Sequence, residues 1–110
     1  MINMQTSEQD GVKILALSGR LDGDGSIHLH DRIQVEIDYN KDSLLLDMSE
    51  VEYISSAGLR VLILAARTIQ NEFGLCNPTS VVREIFTMTQ LDSALFIYDD
   101  VGAAIQSMSA

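Results

Sequence analysis

Three consecutive leucines, Leu44-Leu45-Leu46, constrain the fold of this chain more than any other feature of its sequence. Successive side chains of a β-strand point to opposite faces of a sheet, so a short continuous apolar run needs cover on both faces. Turn-forming residues bound the run, and a loop is expected after it at 49–55, with Val51 and Ile54 turned inward. The run therefore predicts a central strand over residues 43–48 that is buried on both faces.

Strand and helix patterns alternate along the rest of the chain. Apolar residues at three- and four-residue spacing predict four helices, and the helix over 56–70 also carries apolar residues on its flanks, which predicts that it is largely enclosed. The other strands are predicted at 1–5, 12–18, 73–76 and 94–98, with a loop rich in glycine and aspartate at 19–25. The other helices are predicted to be capped by Ser26, by Asn77, Thr79 or Ser80, and by Asp99 or Asp100. This alternation predicts one α/β domain with a largely parallel sheet.

The net charge of the chain restricts the classes of partner that it is expected to bind. The formal net charge is -9, and only seven basic residues are present, without a cluster. Nucleic acid and anionic lipid are recognised by clustered Lys and Arg, so both are unexpected ligands, whereas a protein with a basic docking face is favoured. Residues 1–10 lack the pattern of a signal peptide, and no apolar run approaches the ~20 residues of a membrane span, which favours a cytoplasmic location.

The residues that usually carry metal or covalent chemistry form no convincing site. Cys76 is the only cysteine, so it cannot form a disulfide within the chain and is expected to be a buried structural thiol. His28 and His30 are two residues apart and point to different sides of a helix. The segment 22–26 opens like a calcium loop but lacks the glycine and glutamate that an EF-hand requires later. No metal, cofactor or catalytic group is therefore predicted.

The start of the second helix is the strongest candidate site. Ser56 is expected at or near the N-cap, and Gly58 is expected to keep the approach to Ser56 open. The hydroxyl group would lie beside free backbone N–H groups and the positive end of the helix dipole, where a phosphate is tolerated. From these residues alone two interpretations remain open, a simple helix cap and a phosphorylation site.

Four segments occur in a recognisable order over nearly the whole chain. They are Leu17-Ser18-Gly19-Arg20-Leu21-Asp22, Leu46-Asp47-Met48-Ser49-Glu50-Val51, Ile54-Ser55-Ser56-Ala57-Gly58-Leu59, and Val82-Arg83-Glu84-Ile85-Phe86 with Leu91. In that order they resemble the L-x-G-x-L-D, L-D-L-S-x-V, D-S-[S/T]-G-L and V-R-x-x-F motifs of bacterial anti-sigma factor antagonists, which belong to the STAS domain family.

The resemblance implies a single STAS domain over 1–110, with a four- to five-stranded mixed, largely parallel sheet and about four helices mainly on one face. It implies a non-enzymatic regulator of sigma-factor-dependent transcription. In the family, an anti-sigma factor that is also a serine kinase phosphorylates the motif serine, and a PP2C-type phosphatase removes the phosphate and restores the unphosphorylated form. The motif places the phosphoacceptor at Ser56. The implied partner-binding residues are Asp22, Ser55, Ser56, Ala57, Gly58 and Arg60.

The chain departs from the motif at three positions. Ser55 replaces the motif aspartate and is the second candidate acceptor. Ala57 stands after the acceptor, where the motif has serine or threonine, and Arg60 stands where many relatives have glycine. Arg60 lies about one helical turn from Ser56, which leaves open a phosphate partner or a plain surface arginine. These departures sustain an alternative function, a non-phosphorylated STAS adaptor subunit of a signalling or transport complex. A small-molecule or nucleotide binder ranks last, and the oligomeric state is not predicted.

Overall fold

A computed structural model describes residues 2–109 of the chain. Its strands are β1 (Ile2–Gln9), β2 (Val12–Leu21), β3 (Ser43–Ile54), β4 (Phe73–Cys76) and β5 (Ile97–Tyr98). Its helices are α1 (Gly23–Glu36), α2 (Ser56–Thr68), α3 (Ser80–Met88) and α4 (Val101–Met108), with one 3-10 turn at Leu91–Ser93. The first predicted strand extends to Gln9, and its predicted first residue, Met1, lies outside the described residues.

The five strands form one sheet in the order β1-β2-β3-β4-β5. β1 and β2 are antiparallel and are joined through Asp10 and Gly11, which have φ of 51° and 80° as a tight hairpin turn requires. The pairs β2–β3, β3–β4 and β4–β5 are parallel. The predicted mixed, largely parallel sheet of the STAS fold is therefore confirmed.

The leucine run divides between two cores, as a strand buried on both faces must. Leu44 and Leu46 belong to the larger core, which also holds the buried side chains of α1, α2 and α3. Leu45 belongs to a smaller core on the opposite face, together with Cys76 and the buried residues of α4. Three of the four helices thus cover one face of the sheet, in agreement with the prediction.

The two loops predicted at 19–25 and 49–55 were wrong in extent. β2 continues to Leu21 and β3 continues to Ile54, and the two strands remain paired as far as Leu21 and Ile54. The register shifts twice along this pair, between Ala16 and Ser18 and between Gly19 and Arg20, and each shift places one extra residue in β3. Val51 and Ile54 are buried, as predicted, but from a strand and not from a loop.

The structure identifies the N-cap residues of α1, α3 and α4. One of them differs from the predicted cap, and the other two are among the predicted candidates. Asp22 caps α1 by accepting a hydrogen bond from the Gly25 N–H at 2.9 Å, whereas Ser26 is buried inside the helix and donates to the Asp22 carbonyl oxygen. Ser26 is therefore not the cap. Thr79 caps α3 and Asp100 caps α4, which selects one residue from each predicted set. The predicted last strand shortens to Ile97–Tyr98, because the backbone N–H groups of Ala94 and Leu95 donate to the Leu91 carbonyl oxygen of the 3-10 turn.

α2 is not enclosed, contrary to the sequence prediction. Leu62 and Ala65 are buried, but Leu64 on the opposite flank is 43% exposed. No other described element covers that flank. Apolar residues of α2 that the sequence predicted to be enclosed, Val61 and Leu64, therefore line an open cleft. Among residues 2–109, no helix has the length and apolar character that a membrane crossing requires.

Candidate functional site

The candidate site lies where β2 and β3 each run into a helix. Leu21 and Ile54 are register partners at the carboxyl ends of these parallel strands. The next residues along the chain, Asp22 and Ser55, cap α1 and α2. Because the two strand ends are neighbours, two helix N-termini emerge side by side at one edge of the sheet, and the predicted residues Asp22, Ser55 and Ser56 are brought together there.

Ser55, and not Ser56, is the N-cap of α2. Its Oγ accepts a hydrogen bond from the Gly58 N–H at 3.3 Å and donates one to the Leu21 carbonyl oxygen at 2.9 Å. Its backbone N–H also donates to the same carbonyl oxygen, at 2.8 Å. An aspartate, the residue of the family motif, can supply the capping acceptor but has no proton for Leu21 when ionised. The half-buried Ser55 hydroxyl is thus engaged as both donor and acceptor.

Ser56 is the first residue of α2 and is exposed. Within residues 2–109 its hydroxyl group has no hydrogen-bond partner, in contrast to that of Ser55. The first backbone N–H groups of a helix lack intrahelical acceptors and carry the positive end of the helix dipole. An anion attached at Ser56 would therefore meet a favourable local potential without displacing an existing contact.

Gly58 provides close packing and does not simply keep the approach to Ser56 open, as the sequence suggested. A Cβ atom at Gly58 would lie 2.8 Å from Ile54 Cγ1 and 3.1 Å from the Leu21 carbonyl oxygen. Real Cβ atoms essentially never come as close as the first of these distances. The missing side chain therefore lets the first turn of α2 lie directly against the end of β2, which is where Ser55 is fixed.

Asp22 is held as a carboxylate at the start of α1. Its pKa is lowered from 3.8, mainly by the hydrogen bond from the Gly25 N–H; burial opposes this effect in part, and the positive charge of Arg20 adds a smaller lowering. Its position in the chain, directly after Leu21, places this negative group beside the Ser55 cap. The acidic position implied by the motif therefore lies at the same edge as Ser56.

An arginine–tyrosine pair at this edge was not predicted. Arg20 and Tyr53 are cross-strand partners, and the Arg20 guanidinium carbon lies 4.6 Å from the centroid of the Tyr53 ring. That distance is typical of a cation–π contact. The sequence prediction placed both residues in loops, so it offered no reason to pair them. Only the extension of β2 and β3 brings the two side chains together.

An apolar cleft of about 530 Å³ runs between α1 and α2 beside Ser56. Ile27 on α1 is 60% exposed and Leu64 on α2 is 43% exposed, and both line it. Ala57 and Arg60 connect the cleft to the first turn of α2. The remaining lining residues are Gly23, Asp24, Ser26, His30 and Val61. Exposed apolar residues gathered in a concave surface are typical of a binding site.

The other chemistry-bearing residues remain apart from this edge. Cys76 is buried, as predicted, and burial, together with the negative charges of Asp47 and Asp100, raises the pKa of its thiol to about 12. Such a thiol stays protonated and unreactive at neutral pH. In the part of the chain that the structure describes, no three His, Cys, Asp or Glu side chains are grouped as metal ligands.

Comparison with known proteins places the chain in a family. Residues 3–104 match the sequence model of the STAS domain. The chain belongs to the STAS domain family. BtrV of Bordetella bronchiseptica, a relative named as an anti-sigma factor antagonist, is 35% identical over 83 residues, which cover 73% of this chain and 72% of BtrV. The anti-sigma-F factor antagonist RsfB of Mycobacterium tuberculosis is 26% identical over 106 residues, which cover 94% and 87% of the two chains.

Solved STAS structures share the fold. An anti-sigma factor antagonist from Mycobacterium paratuberculosis superposes with a TM-score of 0.91 at 23% identity, over 100% of this chain and 96% of that chain. The unphosphorylated anti-sigma factor antagonist SpoIIAA superposes with a TM-score of 0.78 at 17% identity, over 96% and 95% of the two chains. SpoIIAA of Bacillus has also been solved in a phosphorylated form, which superposes with a TM-score of 0.71 at 16% identity, over 96% and 98%. The expected STAS fold is thus confirmed.

Proposed function

We propose that this STAS domain is an anti-sigma factor antagonist controlled by phosphorylation of Ser56. Its unmodified form binds an anti-sigma factor that is also a serine kinase, and this binding frees the sigma factor for transcription. Phosphorylation of Ser56 ends the complex, and a PP2C-type phosphatase restores the binding form. The chain acts through binding and performs no catalysis itself, in the cytoplasm where its partners work. The names of the relatives support this proposal.

The observation that carries the proposal is the contrast between two adjacent serines. The Ser55 hydroxyl is tied to Leu21 and Gly58, whereas the Ser56 hydroxyl is exposed and has no partner within residues 2–109. A kinase can reach Ser56 without breaking the cap, but phosphorylation of Ser55 would remove the hydroxyl proton that it donates to Leu21 and would place a phosphate at a half-buried position. This contrast favours Ser56 over Ser55 as the acceptor.

The proposed docking surface combines the Ser56 edge with the apolar cleft. Burial of the exposed Ile27 and Leu64 side chains would supply the apolar part of the binding free energy. Asp22, with its lowered pKa, and the net charge of -9 favour a partner whose docking face is basic. The proposed contacts at the helix start are Asp22, Ser55, Ser56, Ala57, Gly58 and Arg60.

A phosphate on Ser56 would change this surface without unfolding it. It adds about -1.5 to -2 charges at neutral pH in the middle of the proposed contact. The helix start stabilises the new charge locally, so the domain keeps its fold. Even against a basic docking face, the dianion must lose its hydration and must fit where the unmodified chain presents only a hydroxyl group, and both requirements oppose the complex. The phosphorylated chain is therefore expected to bind the anti-sigma factor kinase more weakly than the unmodified chain does.

Binding measurements with Ser56→Asp test this function. The affinity for a purified anti-sigma factor kinase of the chain's own genome is expected to fall at least about tenfold, since a misplaced charge at an interface costs roughly 1.4 kcal/mol or more. Ser80→Asp is the matched control, because Ser80 is also exposed and is also the first residue of a helix, α3, after a hydroxyl-bearing cap. Its affinity should stay near that of the unmodified chain.

The same experiment separates the alternative function. Equal affinities of the wild-type, Ser56→Asp and Ser56→Ala chains, with no effect of ATP on the complex, would contradict the switch. That result would support a constitutive STAS adaptor, because only the fold and the docking surface would then matter.

A further inference from the structure

We propose that Arg60 is the internal counter-ion of a phosphate on Ser56. The inference rests on the proposed phosphorylation of Ser56 and adds a role for one residue of the same helix. Arg60 would pair with the phosphate and would thereby leave the rim of the apolar cleft. Phosphorylation would then change the docking surface twice, by adding an anion and by withdrawing a cation.

The helix places the two residues on one face. Ser56 and Arg60 are the first and fifth residues of α2, and both are exposed. Residues four apart in an α-helix are neighbours on its surface, with Cβ atoms about 6 Å apart. The order is also favourable, since an anion four residues before a cation stabilises a helix more than the reverse arrangement. A phosphate adds three acceptor oxygens that a guanidinium group can meet with two parallel N–H donors.

Arg60 has no competing acidic partner in the described part of the chain. The ion pairs there join Lys13 to Asp42 and Arg32 to Glu36, and a further contact brings the His30 ring within 3.9 Å of the Asp31 carboxylate; none of the three includes Arg60. Arg20, the other arginine near this edge, is already stacked on Tyr53. The guanidinium group of Arg60 is therefore available to a new anion.

The charged neighbours across the cleft do not fix Arg60. Asp24 and His30 of α1 line the same cleft as Arg60, but the carboxylate of Asp24 forms no ion pair with it within 4.0 Å. Asp22, at the end of β2, accepts its hydrogen bond from Gly25. In the unmodified chain Arg60 therefore contributes a positive group to the rim, beside exposed apolar side chains, and a phosphate one turn away would attract it.

The test measures the second pKa of the phosphate on Ser56 by phosphorus NMR. Phosphoserine is introduced at position 56 during synthesis of the full chain, so no kinase is needed and the result does not depend on whether Ser56 is the natural acceptor. The pKa is compared between the phosphorylated wild-type chain and its Arg60→Gln, Arg60→Lys and Arg67→Gln variants. Glutamine and lysine are good helix formers, so the helix is preserved.

Arg60→Gln is expected to raise this pKa by about 0.3 unit, because the dianion loses its counter-ion. Arg60→Lys should recover much of the difference, and 1 M salt should reduce it. Arg67→Gln is the control, since Arg67 lies in the last turn of α2, about 16 Å along the helix axis from Ser56, and should leave the pKa unchanged. Equal pKa values in the wild-type and Arg60→Gln chains, or an equal rise with Arg67→Gln, would overturn the inference.

Discussion

The Ser55 hydroxyl donates a hydrogen bond to the Leu21 carbonyl oxygen across 2.9 Å, although 34 residues separate the two along the chain. The bond ties the start of α2 to the end of β2. Since Asp22 follows Leu21 and Ser56 follows Ser55, it also fixes the relative position of the two residues that the family motif places on the partner surface. A serine in place of the motif aspartate thus serves to position the site.

Ser55→Ala is expected to destabilise the domain by about 1–2 kcal/mol. The substitution removes the N-cap acceptor for Gly58 and the side-chain donor to Leu21, although the backbone N–H bond to Leu21 remains. Urea unfolding measures the change. Ser56→Ala is the control and should stay within about 0.5 kcal/mol of wild type, because Ser56 is exposed and has no partner in the described residues. Equal losses for both variants would contradict the assignment of the cap.

Gly58→Ala is expected to destabilise the domain by roughly 1–3 kcal/mol, even though alanine is the better helix former. The new Cβ atom would lie 2.8 Å from Ile54 Cγ1 at the end of β3 and 3.1 Å from the Leu21 carbonyl oxygen at the end of β2, and would force α2 away from both strand ends. Gly102→Ala in α4 is the matched control, because its new Cβ atom would meet only the Asp100 side chain, at 3.4 Å. Thermal unfolding should show a loss for the first variant and no loss for the second. A stabilised Gly58→Ala chain would refute the packing argument.

Stability is expected to fall at alkaline pH because of Cys76. Below about pH 9 the thiol is protonated in both the folded and the unfolded chain. Between pH 9 and about 12 only the unfolded chain loses the proton, so the free energy of unfolding falls as the pH rises. The loss specific to Cys76 should reach at most about 2 kcal/mol at pH 10.5.

Urea unfolding of the wild-type and Cys76→Ala chains at pH 8 and pH 10.5 measures that loss. Other titrating groups are common to both chains, so the difference between the two pH dependences isolates the thiol. Parallel dependences would show that Cys76 is not held in the protonated form.

Asp22→Asn is expected to remove part of the acid sensitivity of the fold. The pKa of Asp22 is lowered in the folded chain, so its contribution is present above pH 3.8 and is lost as the pH falls through the lowered value. Asparagine can still accept the Gly25 N–H but does not titrate. The melting temperatures of the wild-type and Asp22→Asn chains should therefore converge as the pH falls below 3.8. Asp22→Ala, which loses the cap itself, should melt lower than Asp22→Asn at neutral pH, and the reverse order would exclude the cap.

The sequence predicted the sheet well where the pattern depends on local burial. Leu44-Leu45-Leu46 required cover on both faces, and the strand Phe73–Cys76 was placed with its observed bounds. The ends of β2 and β3 were missed because glycine and polar residues interrupt their apolar pattern, so that both segments resemble loops; these residues are Gly19, Arg20, Ser49, Glu50 and Glu52. They are strands because each supplies the other with backbone hydrogen bonds over Arg20–Leu21 and Tyr53–Ile54, and a local pattern does not reveal such a partner.

The N-cap of α2 was predicted from the sequence to within one residue. The segment Ser55-Ser56 offers two adjacent capping hydroxyls, and intrinsic preference does not choose between them. The choice is made by the Leu21 carbonyl oxygen, which lies within reach of Ser55. The cleft was missed for a related reason, since an apolar helix flank has the same pattern whether another element covers it, as at Leu62, or leaves it open, as at Leu64.

The most direct test of the proposed switch is the intact mass of the chain before and after incubation with an anti-sigma factor kinase and ATP, followed by fragment mapping. The kinase must first be shown to bind the unmodified chain and to phosphorylate another antagonist. We predict one added phosphate, located on Ser56, in the wild-type chain and in Ser80→Ala but not in Ser56→Ala. A bound, active kinase that leaves the mass unchanged, or that modifies Ser55 instead, would contradict the central claim.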